Sequence, residues 1–162
     1  MYPIAKALKE AGNELISIVG ARSKDLLILT DEVAAISDEL LIATDDGSAG
    51  HKGFVSDVLA EVLAKRKVDL CVAIGPVMMM RACAEVTRPA GVHTIVSLNP
   101  IMIDGTGMCG GCRCSVGGER KFACVDGPHF DGHKVDFDEL IQRNATYSRD
   151  ERISLLSSVR RG

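Results

Sequence analysis

The stretch Asp104-Gly-Thr-Gly-Met-Cys109-Gly-Gly-Cys112-Arg-Cys114, followed by Cys124, places four of the six cysteines within 21 positions. Taken as ligands, Asp104, Cys109, Cys112 and Cys124 are separated by four, two and eleven residues. Plant-type [2Fe–2S] clusters are held by thiolates spaced C-x4-C-x2-C…C, and here an aspartate stands in the first position. Glycines interleave the cysteines, as a loop must when its backbone N–H groups approach sulfur and its φ angles turn positive. Arg113–Val116, Gly117-Gly118 and Glu119–Phe122 read as a hairpin with a two-residue turn, which returns Cys124 towards Cys112.

Three chemistries compete for these residues. Disulfides are the least expected, because the chain reads as cytoplasmic and cytosolic thiols stay reduced. Tetrahedral zinc on Cys109, Cys112, Cys114 and Cys124 is reasonable for four thiolates. A [2Fe–2S] cluster is favoured because the spacing from Asp104 is more particular than a lone C-x2-C. Asp104-Gly is also an ordinary turn pair. Cys114, two residues beyond Cys112 on a strand, faces the same side and either replaces Asp104 as fourth ligand or fills the core.

The bulk composition narrows the partners. The length of 162 residues suits one domain with a real core. A net charge of −3 gives no electrostatic reason to bind nucleic acid or an anionic membrane, and no apolar run approaches a bilayer span. With no tryptophan and two tyrosines, there is no stacking platform for single-stranded nucleic acid. No paired carboxylates, nucleophile elbow or Ser/His/Asp set stands out, so no catalytic acid or base is assigned. His51, His93, His129 and His133 are too scattered to suggest a metal site.

The elements that must position the loop alternate in type. Tyr2-Pro3 opens a helix stopped at Gly12, and Glu14–Val19 is a nearly all-apolar strand. A helical segment is expected over Leu26–Ile36, a strand over Leu40–Ala43, and a helix from Phe54 to Lys65. Strands Leu70–Ile74 and Val92–Leu98 flank a helix over Val77–Thr87 that ends before Pro89. Asp136-Phe-Asp-Glu139 starts a last helix with a capping box, and the final residues read as a loosely held tail. The pattern implies an α/β fold with an open, mostly parallel sheet. Ligands of such sheets sit at the carboxyl ends of strands, here Gly20–Arg22, Thr44–Gly50 and Gly75-Pro76. No Gly-x-Gly-x-x-Gly strand turn precedes the first helix, so the first strand of such a domain is missing and the sequence reads as starting mid-domain. Residues 1–99 are expected to form the nucleotide-binding part, 100–146 the cysteine segment and 147–162 a tail. Cys71 and Cys83 read as core residues, as do Met78 and Met80.

Gly20-Ala-Arg-Ser-Lys-Asp25, Thr44-Asp-Asp-Gly-Ser48 with Gly50-His-Lys-Gly53, and Gly75-Pro-Val-Met-Met79 resemble the nicotinamide-binding domain of the ferredoxin–NADP reductase superfamily. The cysteine stretch and Phe122-Ala-Cys-Val-Asp-Gly-Pro128 are similar to the electron-transfer subunit of dihydroorotate dehydrogenase. They are closer still to the small subunits of NADH-dependent reduced ferredoxin:NADP oxidoreductase, or sulfide dehydrogenase. The resemblance implies a [2Fe–2S] cluster on Asp104, Cys109, Cys112 and Cys124. It places Gly75, Pro76 and Met79 at a nicotinamide, Asp45, Asp46, Gly47 and Ser48 near pyrophosphate and ribose, and Arg22 near the adenosine half. It also implies NAD(H) or NADP(H), FAD in the intact family protein, a larger flavin/iron–sulfur subunit as partner in a heterodimer, and ferredoxin indirectly. The implied function is an electron-transfer module, incomplete by itself. A zinc-stabilised interaction domain and an inactive truncated fragment are the rival readings.

Overall fold

A computed structural model describes residues 1–159. The chain divides into two compact units, residues 1–69 with 85–92 and residues 70–84 with 93 onwards.

In the first unit, helix α1 (Tyr2–Glu10) begins with proline in its first turn. Strand β1 (Ile16–Ala21) follows, then a single 3-10 turn at Lys24–Leu26 and helix α2 (Thr30–Ile36). The sequence implies one helix across this region. The backbone instead breaks at Leu29, which adopts a left-handed φ of 56° and caps α2 with its carbonyl. Strand β2 (Glu39–Thr44), the two-residue strand β3 (His51–Lys52) and helix α3 (Val55–Lys65) complete the unit. β1, β2 and β3 are all parallel, with Ile16 opposite Glu39 and Ala21 opposite Thr44. Val33, Ala43, Val58 and Leu59 form the buried centre. Gly20 is where α3 crosses the sheet closely, since a Cβ there would run into Val55.

The second unit holds β4 (Leu70–Ala73), most of helix α4 (Val77–Thr87), β5 (His93–Ser97), β6 (Arg113–Val116), β7 (Glu119–Phe122), β8 (His129–Asp131) and helices α5 (Phe137–Asn144) and α6 (Ser148–Val159). β4 and β5 are parallel, and β8 adds antiparallel to β5. β6 and β7 form their own antiparallel pair. Met80, Val96 and Leu140 are fully buried at its centre. The α/β expectation of parallel strands and covering helices holds. The strands nevertheless form two three-stranded sheets and a hairpin, because no described strand pairs with the second edge of β1 or of β4.

Two local features complete the picture. Residues expected to be a loose tail form α6, with acidic Asp150 and Glu151 in its first turn, where the helix dipole favours negative charge. Its side chains from Ser148 to Leu156 are all exposed. No helix among the described residues is long and apolar enough to cross a membrane.

Candidate metal centre

The cysteine loop is built by backbone donors that side chains collect. Asp104 closes it: one carboxylate oxygen accepts the Thr106 N–H at 2.9 Å and the other the Cys109 N–H at 2.8 Å. These backbone bonds hold the Asp104 carboxyl below its ordinary value of 3.8. At Gly110 a φ of 65° turns the chain sharply inside Cys109-Gly-Gly-Cys112. That turn lets the Gly111 N–H donate to the Cys109 sulfur at 3.3 Å.

The hairpin expected from Gly117-Gly118 is present. Both glycines are left-handed, at φ 63° and 81°, as a type I′ turn requires. β6 and β7 pair with Arg113 opposite Phe122, and the Ala123 N–H donates to the Cys112 carbonyl at 3.2 Å. Asp126 then accepts the Phe122 N–H at 2.6 Å and fixes the turn that carries Cys124. Twelve residues apart in sequence, Cys112 and Cys124 meet with their sulfurs 3.2 Å apart.

The electrostatics of the pair favour a bound cation. The Cys124 thiol is pushed up, first by its hydrogen bond with the Cys112 sulfur, which favours the protonated form, and then by desolvation, while the Gly107 N–H opposes the shift. Two thiolates this close repel unless a positive centre lies between them. Backbone N–H groups directed at Cys109 and Cys124 suit thiolates that share their charge with a metal. The donor chemistry of the loop therefore fits an iron–sulfur cluster.

The residues are not equally placed. Cys109 is exposed, Cys112 is 2% exposed and Cys124 is half-buried. Among the described residues, no three of the histidines, cysteines, aspartates and glutamates form a ready metal group. Cys112 and Cys124 converge. Cys109 stands in the adjoining turn, and Asp104 has both oxygens on loop N–H groups while its charge is felt at Cys124. Cys114 is 1% exposed on β6. Burial pushes its thiol up to about 11, and Cys112, Glu139 and Asp126 add to the shift while Arg143 opposes it. Its sulfur is directed at the Lys121 carbonyl, 3.8 Å away.

Sequence reasoning missed two groups that build this loop. Asp126 lies in an Asp-Gly-Pro turn that was a visible signal. Arg143 of α5 donates to the Gly111 and Arg113 carbonyls at 3.0 and 3.1 Å. Lying 31 positions beyond Cys112, it carried no signal in the sequence.

The candidate nucleotide-binding residues divide between the units. In the first, Arg22 follows β1, and its carbonyl accepts the Asp46 N–H at 3.2 Å. Asp46 accepts from Ser48 through both its N–H, at 2.9 Å, and its hydroxyl, at 2.6 Å. These bonds hold the Asp46 carboxyl below its ordinary value. Ser48 in turn accepts the Lys24 N–H at 2.7 Å, so the loops after β1 and β2 are tied together. Asp45 and Gly47 lie in the same turn, with Gly47 at φ 78°. In the second unit, Gly75 and Pro76 join β4 to α4, and a Cβ on Gly75 would meet the Met79 methyl group. Gly75, Pro76 and Met79 thus form one surface at the carboxyl end of β4.

Comparison with known proteins gives these geometries a lineage. Residues 99–136 match the iron–sulfur cluster binding domain of dihydroorotate dehydrogenase B. A Thermotoga maritima protein described as a homologue of the electron transfer subunit of dihydroorotate dehydrogenase B (NAD(+)) is 58% identical over 95% of this chain and 54% of its own. A probable electron transfer subunit of the same enzyme from Methanocaldococcus jannaschii is 38% identical over 91% of this chain and 56% of its own. A solved structure of an NADH-dependent reduced ferredoxin-NADP oxidoreductase, reported for flavin-based electron bifurcation, superposes with a TM-score of 0.88 at 55% identity. That match covers 98% of this chain and 57% of the other. The chain spans about half the length of the relatives it matches. Residues 99–136 thus match a cluster-binding domain, and nearly the whole chain is similar to about half of electron-transfer subunits of dihydroorotate dehydrogenase B and their homologues.

Proposed function

We propose that this chain is the electron-transfer module of a flavin/iron–sulfur NAD(P)H oxidoreductase of the ferredoxin:NADP type. The convergence of Cys112 and Cys124 at 3.2 Å, inside the segment that matches a cluster-binding domain, carries this reading. Asp104, Cys109, Cys112 and Cys124 are the proposed ligands of a [2Fe–2S] cluster. When bound, the cluster supplies one-electron transfer and the nicotinamide supplies hydride chemistry, with flavin in the intact protein. The residues of this chain bind and tune. The Gly111 and Gly107 N–H groups stabilise sulfur charge, and Asp104 holds the Cys109 turn while contributing a formal negative charge. Arg22 and Asp45–Ser48 are proposed to hold the pyrophosphate and ribose of NAD(H) or NADP(H), and Gly75, Pro76 and Met79 to border the nicotinamide.

The partner is proposed to be a larger flavin/iron–sulfur subunit, with ferredoxin served indirectly. Large apolar side chains are exposed on the cysteine loop, including Ile103 at 73% and Met108 at 89%, and such a patch favours a protein neighbour. A cytoplasmic location suits six cysteines that are all free thiols. The function is tested on protein purified without oxygen, with iron, sulfide and zinc assayed alongside absorption and EPR spectra. Two irons and two sulfides, with an EPR signal only after reduction, are expected. A colourless protein with stoichiometric zinc would overturn the redox reading.

A further inference from the structure

We propose that Arg143 of α5 is a positioning residue for the cluster: its guanidinium locks the backbone on both sides of Cys112 and leaves a fixed positive charge beside the thiolates. This rests on the cluster reading given above, but uses a residue outside the matched segment, which ends at 136.

The geometry is specific. Arg143 Nη2 donates to the Gly111 carbonyl at 3.0 Å and Nε donates to the Arg113 carbonyl at 3.1 Å, so the two bonds bracket the buried Cys112. The next residue repeats the action at the loop's other end, where the Asn144 side-chain amide reaches the Asn99 carbonyl at 3.5 Å. The end of α5 therefore holds both the entry to the cysteine loop and its Cys-x-x-Cys turn. α5 is itself fastened to the hairpin. The Asp136 N–H donates to the Ser115 carbonyl at 2.9 Å, the Gly117 N–H to the Lys134 carbonyl at 2.8 Å, and Asp136 caps the helix through the Glu139 N–H. Leu140 is fully buried between these attachments.

Arginine suits this job for two reasons. Its planar fork satisfies two carbonyls at once, which a lysine ammonium on a flexible stem does not do with the same rigidity. It is also charged at every working pH, so it favours the more negative, reduced state of any centre held on Cys112.

The test compares the full chain with Arg143→Lys and Arg143→Gln, prepared without oxygen. Cluster loss to a chelator and the EPR-monitored midpoint potential are measured, after iron and sulfide assay of the wild type. Arg143→Gln is expected to lose its cluster about tenfold faster. Its midpoint is expected to fall by a tenfold change in the one-electron equilibrium, about 59 mV. Arg143→Lys is expected to keep a midpoint near the wild type yet lose the cluster faster, separating charge from fork. Equal loss rates and equal midpoints in a cluster-bearing wild type and both variants overturn the inference and leave the functional reading intact. A wild type without iron overturns both. If Arg143→Gln does not fold, the loss rate of Arg143→Lys decides, faster loss supporting the inference and an unchanged rate overturning it.

Discussion

At the scale of single residues, Asp104 carries two roles that the sequence could only set side by side, a turn aspartate and a proposed ligand. Its carboxylate accepts both the Thr106 and the Cys109 N–H groups, which explains its lowered pKa. A group whose folded pKa is depressed stabilises fully above its unfolded value and loses that contribution as pH falls through the folded value. The loop's contribution from Asp104 is therefore present above about pH 4 and lost below the ordinary value of 3.8. In metal-free protein, the Thr106 and Cys109 amide resonances should move together with a midpoint below 3.8, and in Asp104→Asn this shared transition should vanish. Midpoints at or above the ordinary carboxylate value would remove the hydrogen bonds from the account.

The cysteines separate by environment at the same scale. Desolvation pushes the Cys83 thiol up to about 12 and the Cys71 thiol up to about 11. At pH 8 only about one Cys83 in 10⁴ is thiolate, whereas reactivity follows both thiolate fraction and access. Alkylation of metal-free protein followed by mass spectrometry should therefore label exposed Cys109 long before Cys83. Comparable rates would contradict the burial described for α4.

Among the elements, the β6–β7 hairpin was the most legible, because two consecutive glycines between two short runs free of glycine and proline demand a turn with two left-handed residues. A Cβ on Gly118 would meet nothing within 4 Å, so a substitution there reports backbone conformation alone. Gly118→Val should cost about 1–2 kcal/mol, read as a lower urea midpoint with an unchanged slope. No loss would mean that the turn tolerates another type. The N-cap starting α5 was equally legible and Asp136 accepts the Glu139 N–H at 2.9 Å, but its own N–H goes to the Ser115 carbonyl rather than to the Glu139 side chain, so the box is half formed. The region before α2 was not. A run of Leu26, Leu27, Ile28 and Leu29 satisfies helical hydrophobicity, and only the surrounding chain decides that Leu29 turns left-handed.

For the whole molecule, the proposed nucleotide residues fall in two units, so each group can be tested by itself. NADH or NADPH at 100 times its dissociation constant should stabilise the protein by about 2.7 kcal/mol. Arg22→Ala in one unit and Met79→Ala in the other should each reduce the rise in Tm at fixed nucleotide concentration. No thermal shift with either nucleotide would count against the nucleotide reading while leaving the metal centre untouched.

Short-range chemistry was written in the sequence: the spacing of the proposed ligands, the Gly-Gly turn, the Asp136 cap and the parallel-strand character of the apolar runs. Each depends on a few adjacent residues whose backbone preferences are strong. The tertiary structure decided the contacts between distant residues. It brought Cys112 to Cys124, set Asp104 on its own loop's N–H groups, and placed Arg143 over two carbonyls more than 29 residues earlier in the chain. It also decided that the strands pair as two three-stranded sheets beside the hairpin, since strand pairing depends on which edges meet. Such contacts leave no periodic trace, because a side chain that reaches across the fold to a carbonyl is indifferent to the identity of the residue it binds.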